Sequence, residues 1–142
     1  MSVIRLAKKS DIEAVYGLIR QLSRHKFIKE QFEDCYIYNI GRGNVLVYEK
    51  DNSVCGCAVY AIHYHLHFSR KTAEIVNLIV DENSRGNGIG KELLNAIEKI
   101  AFDNRCVCIE VASGKHREAA HRFYEREGFV CGHYKLKKEL KQ

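Results

Sequence analysis

The stretch NLIVDENSRGNGIGKELL, residues 77–94, constrains the fold of this chain more than any other. An apolar β-branched run leads into a turn with glycine at 86, 88 and 90, and the turn opens a strongly amphipathic helix. Strand, glycine-rich turn and helix in that order present unpaired helix amides and a partial positive charge, and the glycines let a ligand approach the backbone. The arrangement suits a phosphate-bearing ligand. Two familiar loop designs fail on residue identity. A P-loop needs Gly where Arg85 stands and a hydroxyl where Glu92 follows Lys91. A dinucleotide fingerprint begun at Gly86 meets Lys91 in place of its third glycine, and one begun at Gly88 meets Leu93.

A third design fits. Arg85-Gly86-Asn87-Gly88-Ile89-Gly90, following the strand end Leu78-Ile79-Val80, resembles the pyrophosphate loop of the GNAT superfamily of N-acetyltransferases. The run His121-Arg122-Phe123-Tyr124-Glu125-Arg126-Glu127-Gly128-Phe129 resembles that superfamily's second signature, at the expected distance downstream. Within the superfamily the chain is most similar to aminoalkylphosphonate N-acetyltransferases, through Tyr64-His65-Leu66-His67, Glu74-Ile75 and Ala120-His121-Arg122-Phe123-Tyr124.

The resemblance implies an α/β GNAT fold, a mixed twisted sheet flanked by helices on both faces, in a single domain over residues 1–142. It also implies acetyl-CoA as cosubstrate and direct attack of a neutral amine on the thioester. Leu78, Ile79 and Val80 would hold the pantetheine arm and polarise the thioester through their backbone. The amides of Arg85, Gly86, Asn87, Gly88, Ile89, Gly90 and Lys91 would hold the pyrophosphate. Tyr124 would protonate the departing thiolate, and Glu74 near the start of the central strand would take the amine's proton. Glu110 is the rival base, since other members use a glutamate on the following strand and alternation turns it away from Ile109 and Val111.

Other residues offer substrate contacts. His63, His65 and His67 alternate along one strand and so share a face. Imidazoles in a row can bind a phosphonate, hold a divalent metal or relay a proton. His65 and His67 are the favoured contacts, and a metal there is left open. Ser113, just beyond a strand end, is a further candidate for substrate or cofactor.

Around these motifs the chain reads as β-α-α-β-β-β-α-β-α-β, with a further strand at the end left open. Strands are expected at 3–7, 44–50, 53–67, 73–80 and 106–112, with one or two more over 129–139. Helices are expected after a capping box of Ser10 and Glu13, over 29–40, after the glycine loop, and over 116–127. Asp51-Asn52 should join two strands as a hairpin.

Composition narrows the function classes. No apolar run approaches the ~18 residues of a membrane span, and MSVIRLAKKSDIEAV contains no signal core, so a cytoplasmic protein is expected. The net charge of +5 is scattered, with no basic stretch interleaved with exposed aromatics, which argues against nucleic acid and suits a cleft for a small polyanion. Cys55-x-Cys57 and Cys106-x-Cys108 lie in strand-like runs and read as buried reduced thiols rather than a zinc site. The favoured acceptor is a small primary amine, such as an aminoalkylphosphonate. A protein lysine or N-terminus, and a non-catalytic acyl-CoA-binding module, are the alternatives. Homodimers are common in the superfamily.

Overall fold

The computed structural model describes residues 1–22, 27–67 and 69–141. The chain forms two compact units, Met1–Glu110 and a shorter one beginning at Val111. The first unit is built on a five-stranded mixed sheet in the order β1 (Ser2–Leu6), β2 (Val45–Lys50), β3 (Ser53–His65), β4 (Arg70–Val80) and β5 (Cys106–Val111). The first four strands are antiparallel neighbours. Helix α1 (Ile12–Leu22) and helix α2 (Lys29–Gly41) lie between β1 and β2, and helix α3 (Ile89–Asp103) makes the crossover from β4 to β5. No described helix is long and apolar enough to cross a membrane.

Neighbouring residues of β3 show that α1 and α3 cover opposite faces. A Cβ on Gly56 would meet side-chain carbons of Ile89 and Leu93 on α3, each at 3.2 Å. Cys57, next along the strand and therefore pointing the other way, packs with Val15 and Leu18 of α1, Tyr36 of α2, Val47 and Ile79. Gly56 is thus a close-approach glycine: a Cβ there would require the Ile89 and Leu93 side chains to shift. On α3 the buried residues Ile89, Leu93, Leu94, Ile97 and Ala101 follow helical spacing, as the sequence predicts. Burying each of the larger ones contributes about 1.5–3 kcal/mol.

The two central strands do not alternate regularly. Val59 faces Asn77 and the next residue, Tyr60, faces Ile75, so Val76 is an extra residue in β4. This bulge inverts the alternation. Counted back from Ile79 without it, Ile75 and Ala73 would point toward α1 and Glu74 toward α3. With it, Ile75 and Ala73, both buried, fall on the α3 face with Tyr60 and Ile62. Glu74 and Thr72 move to the α1 face, opposite Ala61 and His63.

Asp51 and Asn52 join β2 to β3 with φ of 50° and 65°, a two-residue hairpin turn of the kind their side chains tolerate. The helical start after β1 differs from the expected box. A 3-10 turn, Lys9–Asp11, precedes α1, and the Asp11 carboxylate accepts the Lys8 amide at 2.7 Å. Glu13 instead pairs with Lys29 at 3.0 Å. Asp11 also takes both Nη atoms of Arg5, at 2.8 and 3.0 Å, and Glu49 takes Arg5 Nη2 at 2.9 Å. Arg5 therefore holds the Asp11 carboxyl below its ordinary range.

Strand β4 begins at Arg70 rather than at residue 73, because Arg70, Lys71 and Thr72 pair with His65, Tyr64 and His63 despite their polarity. All six cysteines are free thiols. Cys57 is buried and burial pushes its thiol up to about 12. Cys108 is exposed, contrary to the expectation of four buried thiols, because β5 is the outer strand of this sheet.

In the second unit helix α4 (Glu118–Arg126) is shorter than expected, and residues 129–141 form neither helix nor strand. Alternating apolar residues satisfy only the local half of a strand's requirements. The ladder partner is the other half, and these residues lack one in the described structure.

Candidate active site

The glycine loop forms as its sequence requires. Gly86 and Gly88 adopt φ of 83° and 79°, which side-chain-bearing residues rarely reach, and neither has an atom within 4 Å of where a Cβ would stand. The backbone is therefore open to a ligand at both positions. Gly88 caps α3 and, having no side chain, makes no side-chain cap hydrogen bond. The first-turn amides, including those of Ile89 and Gly90, have no intrahelical acceptor and suit a pyrophosphate.

The loop is anchored at its entrance. Asp81 donates its amide to the Cys55 carbonyl at 2.8 Å. Its carboxylate accepts from the Asn83 amide at 3.1 Å and from the Gln21 side chain at 2.9 Å, while Gln21 accepts the Glu82 amide. Asp81 therefore ties the loop to α1. Arg85 Nε donates to the Val80 carbonyl at 3.1 Å, and Asn87 Nδ2 donates to the Ser84 carbonyl at 3.0 Å. Lys91 lies in the first turn of α3.

Leu78, Ile79 and Val80 pair with Ala58, Cys57 and Gly56 along β3. Glu74 lies further back on the same strand. Its Oε1 is 2.9 Å from His63 Nε2, across the diagonal of the β3–β4 pair. The His63 and Glu74 side chains are 45% and 34% exposed, so solvent or a substrate can reach both. His65 follows on β3, its ring 6.0 Å from that of His63, and faces Arg70. Thr72, directly opposite His63, is fully buried, and its hydroxyl has no hydrogen-bond partner among the described residues.

The histidine row does not form a metal site. Strand β3 ends at His65, and His67 falls in the turn beyond it. His63 is engaged by Glu74 instead. Among the described residues no three His, Cys, Asp or Glu side chains stand together in a way that could hold a metal ion. The divalent metal that the sequence left open therefore has no support among the described residues.

At the start of β4, a cavity of about 660 Å³ is lined by Tyr64, His65, Arg70, Lys71 and Arg105 among others. Lys71 Nζ lies 5.3 Å from the centre of the Tyr64 ring. No carboxylate lines this cavity among the described residues. It sits at the end of β4 remote from the glycine loop.

Glu110, the rival base, is exposed near the end of β5. Ser113 and Tyr124 belong to the second unit. The Ser113 hydroxyl is buried without a hydrogen-bond partner among the described residues. Tyr124 is buried between Phe123 and Phe129, whose ring centres lie 5.2 and 5.3 Å away. Burial raises its phenol pKa above 10.0, with Arg117 pulling the other way.

Two features escaped the sequence. The His63–Glu74 contact depends on the bulge at Val76, which no local pattern announces. Thr72 is hidden in the sequence because the apolar pattern of the strand begins only after it. The one available signal was the run of polar residues continuing β4 toward the hairpin.

Residues 12–129 match the model of the Acetyltransferase (GNAT) family. The chain is 31% identical over 139 residues to the aminoalkylphosphonate N-acetyltransferase of Salmonella typhimurium, covering 96% of this chain and 90% of that protein. Its fold is similar to a crystal structure from Bacillus halodurans described as a transcriptional regulator, with a TM-score of 0.87, 23% identity, and 99% and 100% of the two chains covered. It is also similar to glucosamine-6-phosphate N-acetyltransferase from Arabidopsis thaliana, with a TM-score of 0.80, 19% identity and 99% of each chain covered. The glycine loop, the mixed sheet and the family match agree: this chain belongs to the GNAT family and is an acetyl-CoA-dependent N-acetyltransferase.

Proposed function

We propose that this enzyme acetylates the primary amine of a small molecule carrying an acidic group, of the aminoalkylphosphonate class, in one catalytic domain spanning residues 1–142 and in the cytoplasm. The observation that carries the acidic-substrate reading is the cavity at the start of β4, with Arg70, Lys71 and Arg105 on its wall and no carboxylate among its described lining. The 31% identity to an aminoalkylphosphonate N-acetyltransferase supports the same class. Arg70 shares a sheet face with Glu74, so an amine at the carboxylate and an anionic group toward the cations fit one extended substrate.

Acetyl-CoA supplies an activated thioester. In our reading the amides of Arg85 to Lys91 bind its pyrophosphate, and the backbone of Leu78, Ile79 and Val80 holds the pantetheine arm and polarises the carbonyl. Glu74 accepts a proton from the substrate ammonium, leaving a lone pair free to attack. Tyr124, kept protonated by burial, returns a proton to the leaving thiolate. Glu110 is the alternative base, and His65, His67 and Ser113 are assigned to substrate contacts.

A coenzyme A release assay with a panel of amines tests the proposal. Aminoalkylphosphonates are expected to give saturable release at lower KM than alkylamines of equal length. Preference for basic peptides would move the acceptor to a protein amine.

A further inference from the structure

We infer that His63 is a positioning residue for the base, holding one oxygen of Glu74 so that the other faces the amine. The inference rests on the assignment of Glu74 as base and deepens it. His63 Nε2 stands 2.9 Å from Glu74 Oε1. A carboxylate ready to accept a proton carries none of its own, so the hydrogen of this contact belongs to His63 Nε2. The imidazole therefore donates to Oε1 and leaves the lone pairs of Oε2 for the substrate.

The pairing is built by the backbone. Glu74 comes to the face of His63 because Val76 is inserted into β4. A regular strand would have turned the carboxylate to the α3 face, away from the imidazole. Bulges re-aim side chains in this way. A glutamate side chain 34% exposed on a strand is otherwise free to rotate about three bonds, and ordering it costs free energy. His63 imposes that order before substrate arrives. Misplacing a reacting group by about 1 Å can cost about a hundredfold in rate.

The neighbourhood favours His63 for this task over the other histidines. His65 is one ring further along β3, 6.0 Å between centres, and is paired in register with Arg70 rather than Glu74. His67 lies beyond the strand.

Four variants test the inference in the full chain: His63→Leu, His63→Gln, Glu74→Gln and the double variant His63→Leu/Glu74→Gln. Each is measured for kcat and both KM values, with thermal melting to confirm folding. His63→Leu is expected to lower kcat at least about tenfold with the KM for acetyl-CoA unchanged. His63→Gln, whose amide nitrogen falls near the place of Nε2, is expected to recover most of that loss. The double variant is expected to be no slower than Glu74→Gln alone, because His63 acts through the carboxylate. A wild-type kcat in His63→Leu beside a slow Glu74→Gln would overturn the role of His63 and leave Glu74 as base. A double variant slower than Glu74→Gln by the full His63→Leu factor would also overturn it, by showing an independent action. A wild-type rate in Glu74→Gln would overturn the assignment of the base, and this inference with it.

Discussion

Single side chains carry the chemistry, and each assignment has its own signature. Replacing Glu74 by Gln keeps the shape and removes the basicity, so kcat is expected to fall about 10²–10⁴-fold while acetyl-CoA affinity, measured by calorimetry, stays within about twofold. Tyr124 gives a pH signature. Burial raises its phenol above the ordinary 10.0, so the protonated acid persists throughout the neutral and mildly alkaline range. The ratio of wild-type to Tyr124→Phe rates is expected to hold constant through the neutral and mildly alkaline range and to shrink only where the raised phenol deprotonates. A ratio that shrank near neutrality would contradict the acid role. At this scale the sequence offered residue types but not partners. Glu74 stood out beside a motif, whereas its contact with His63 depends on a one-residue insertion between paired strands. The three-histidine row looked like a ligand set only because alternation was extended past the end of β3.

At the level of elements, the glycine loop and the first helical turn are the most exposed to a single change. Ala at position 88 must adopt φ near 79°, which costs about 1–2 kcal/mol. It also places a methyl group on backbone that the cofactor is proposed to approach. Gly88→Ala is expected to lower Tm and to raise the KM for acetyl-CoA more than it lowers kcat. Asp11 links β1 to α1 through Arg5 and the Lys8 amide, and its carboxyl is held low chiefly by the Arg5 hydrogen bonds. Its folded pKa lies below its unfolded value of 3.8, so its contribution is fully present above that value and is lost as pH falls through the folded pKa. Asp11→Asn is expected to destabilise the protein by about 2 kcal/mol at neutral pH, with the difference from wild type closing under acid in urea titrations. An unchanged difference at acid pH would contradict the linkage. Helices α1, α2 and α3 and strands β1 to β5 were legible because hydrophobic period is local, although the box expected of Ser10 and Glu13 does not form. The strands anticipated over 129–139 were misread because pairing is not local.

For the whole molecule, the sheet with α1 and α3 on opposite faces sets the glycine loop at one end of β4 and the cation-lined cavity at the other. A ligand that binds only the folded chain stabilises it by mass action, so acetyl-CoA at a hundredfold excess over its Kd should add about 2.7 kcal/mol and raise Tm. The gain is expected to weaken as salt screens the phosphate contacts. The family was legible because its glycine loop and Tyr124 signature are contiguous in sequence. The cavity was less legible, because Arg70, Lys71 and Arg105 meet only through the β3–β4 hairpin and the turn before β5. The most direct test of the account is coenzyme A release with an aminoalkylphosphonate against the alkylamine of equal length. The account predicts a kcat/KM at least tenfold higher for the phosphonate, lost when Arg70 and Arg105 are both replaced by Gln. Equal kcat/KM for the two amines, or a preference untouched by those replacements, would contradict it.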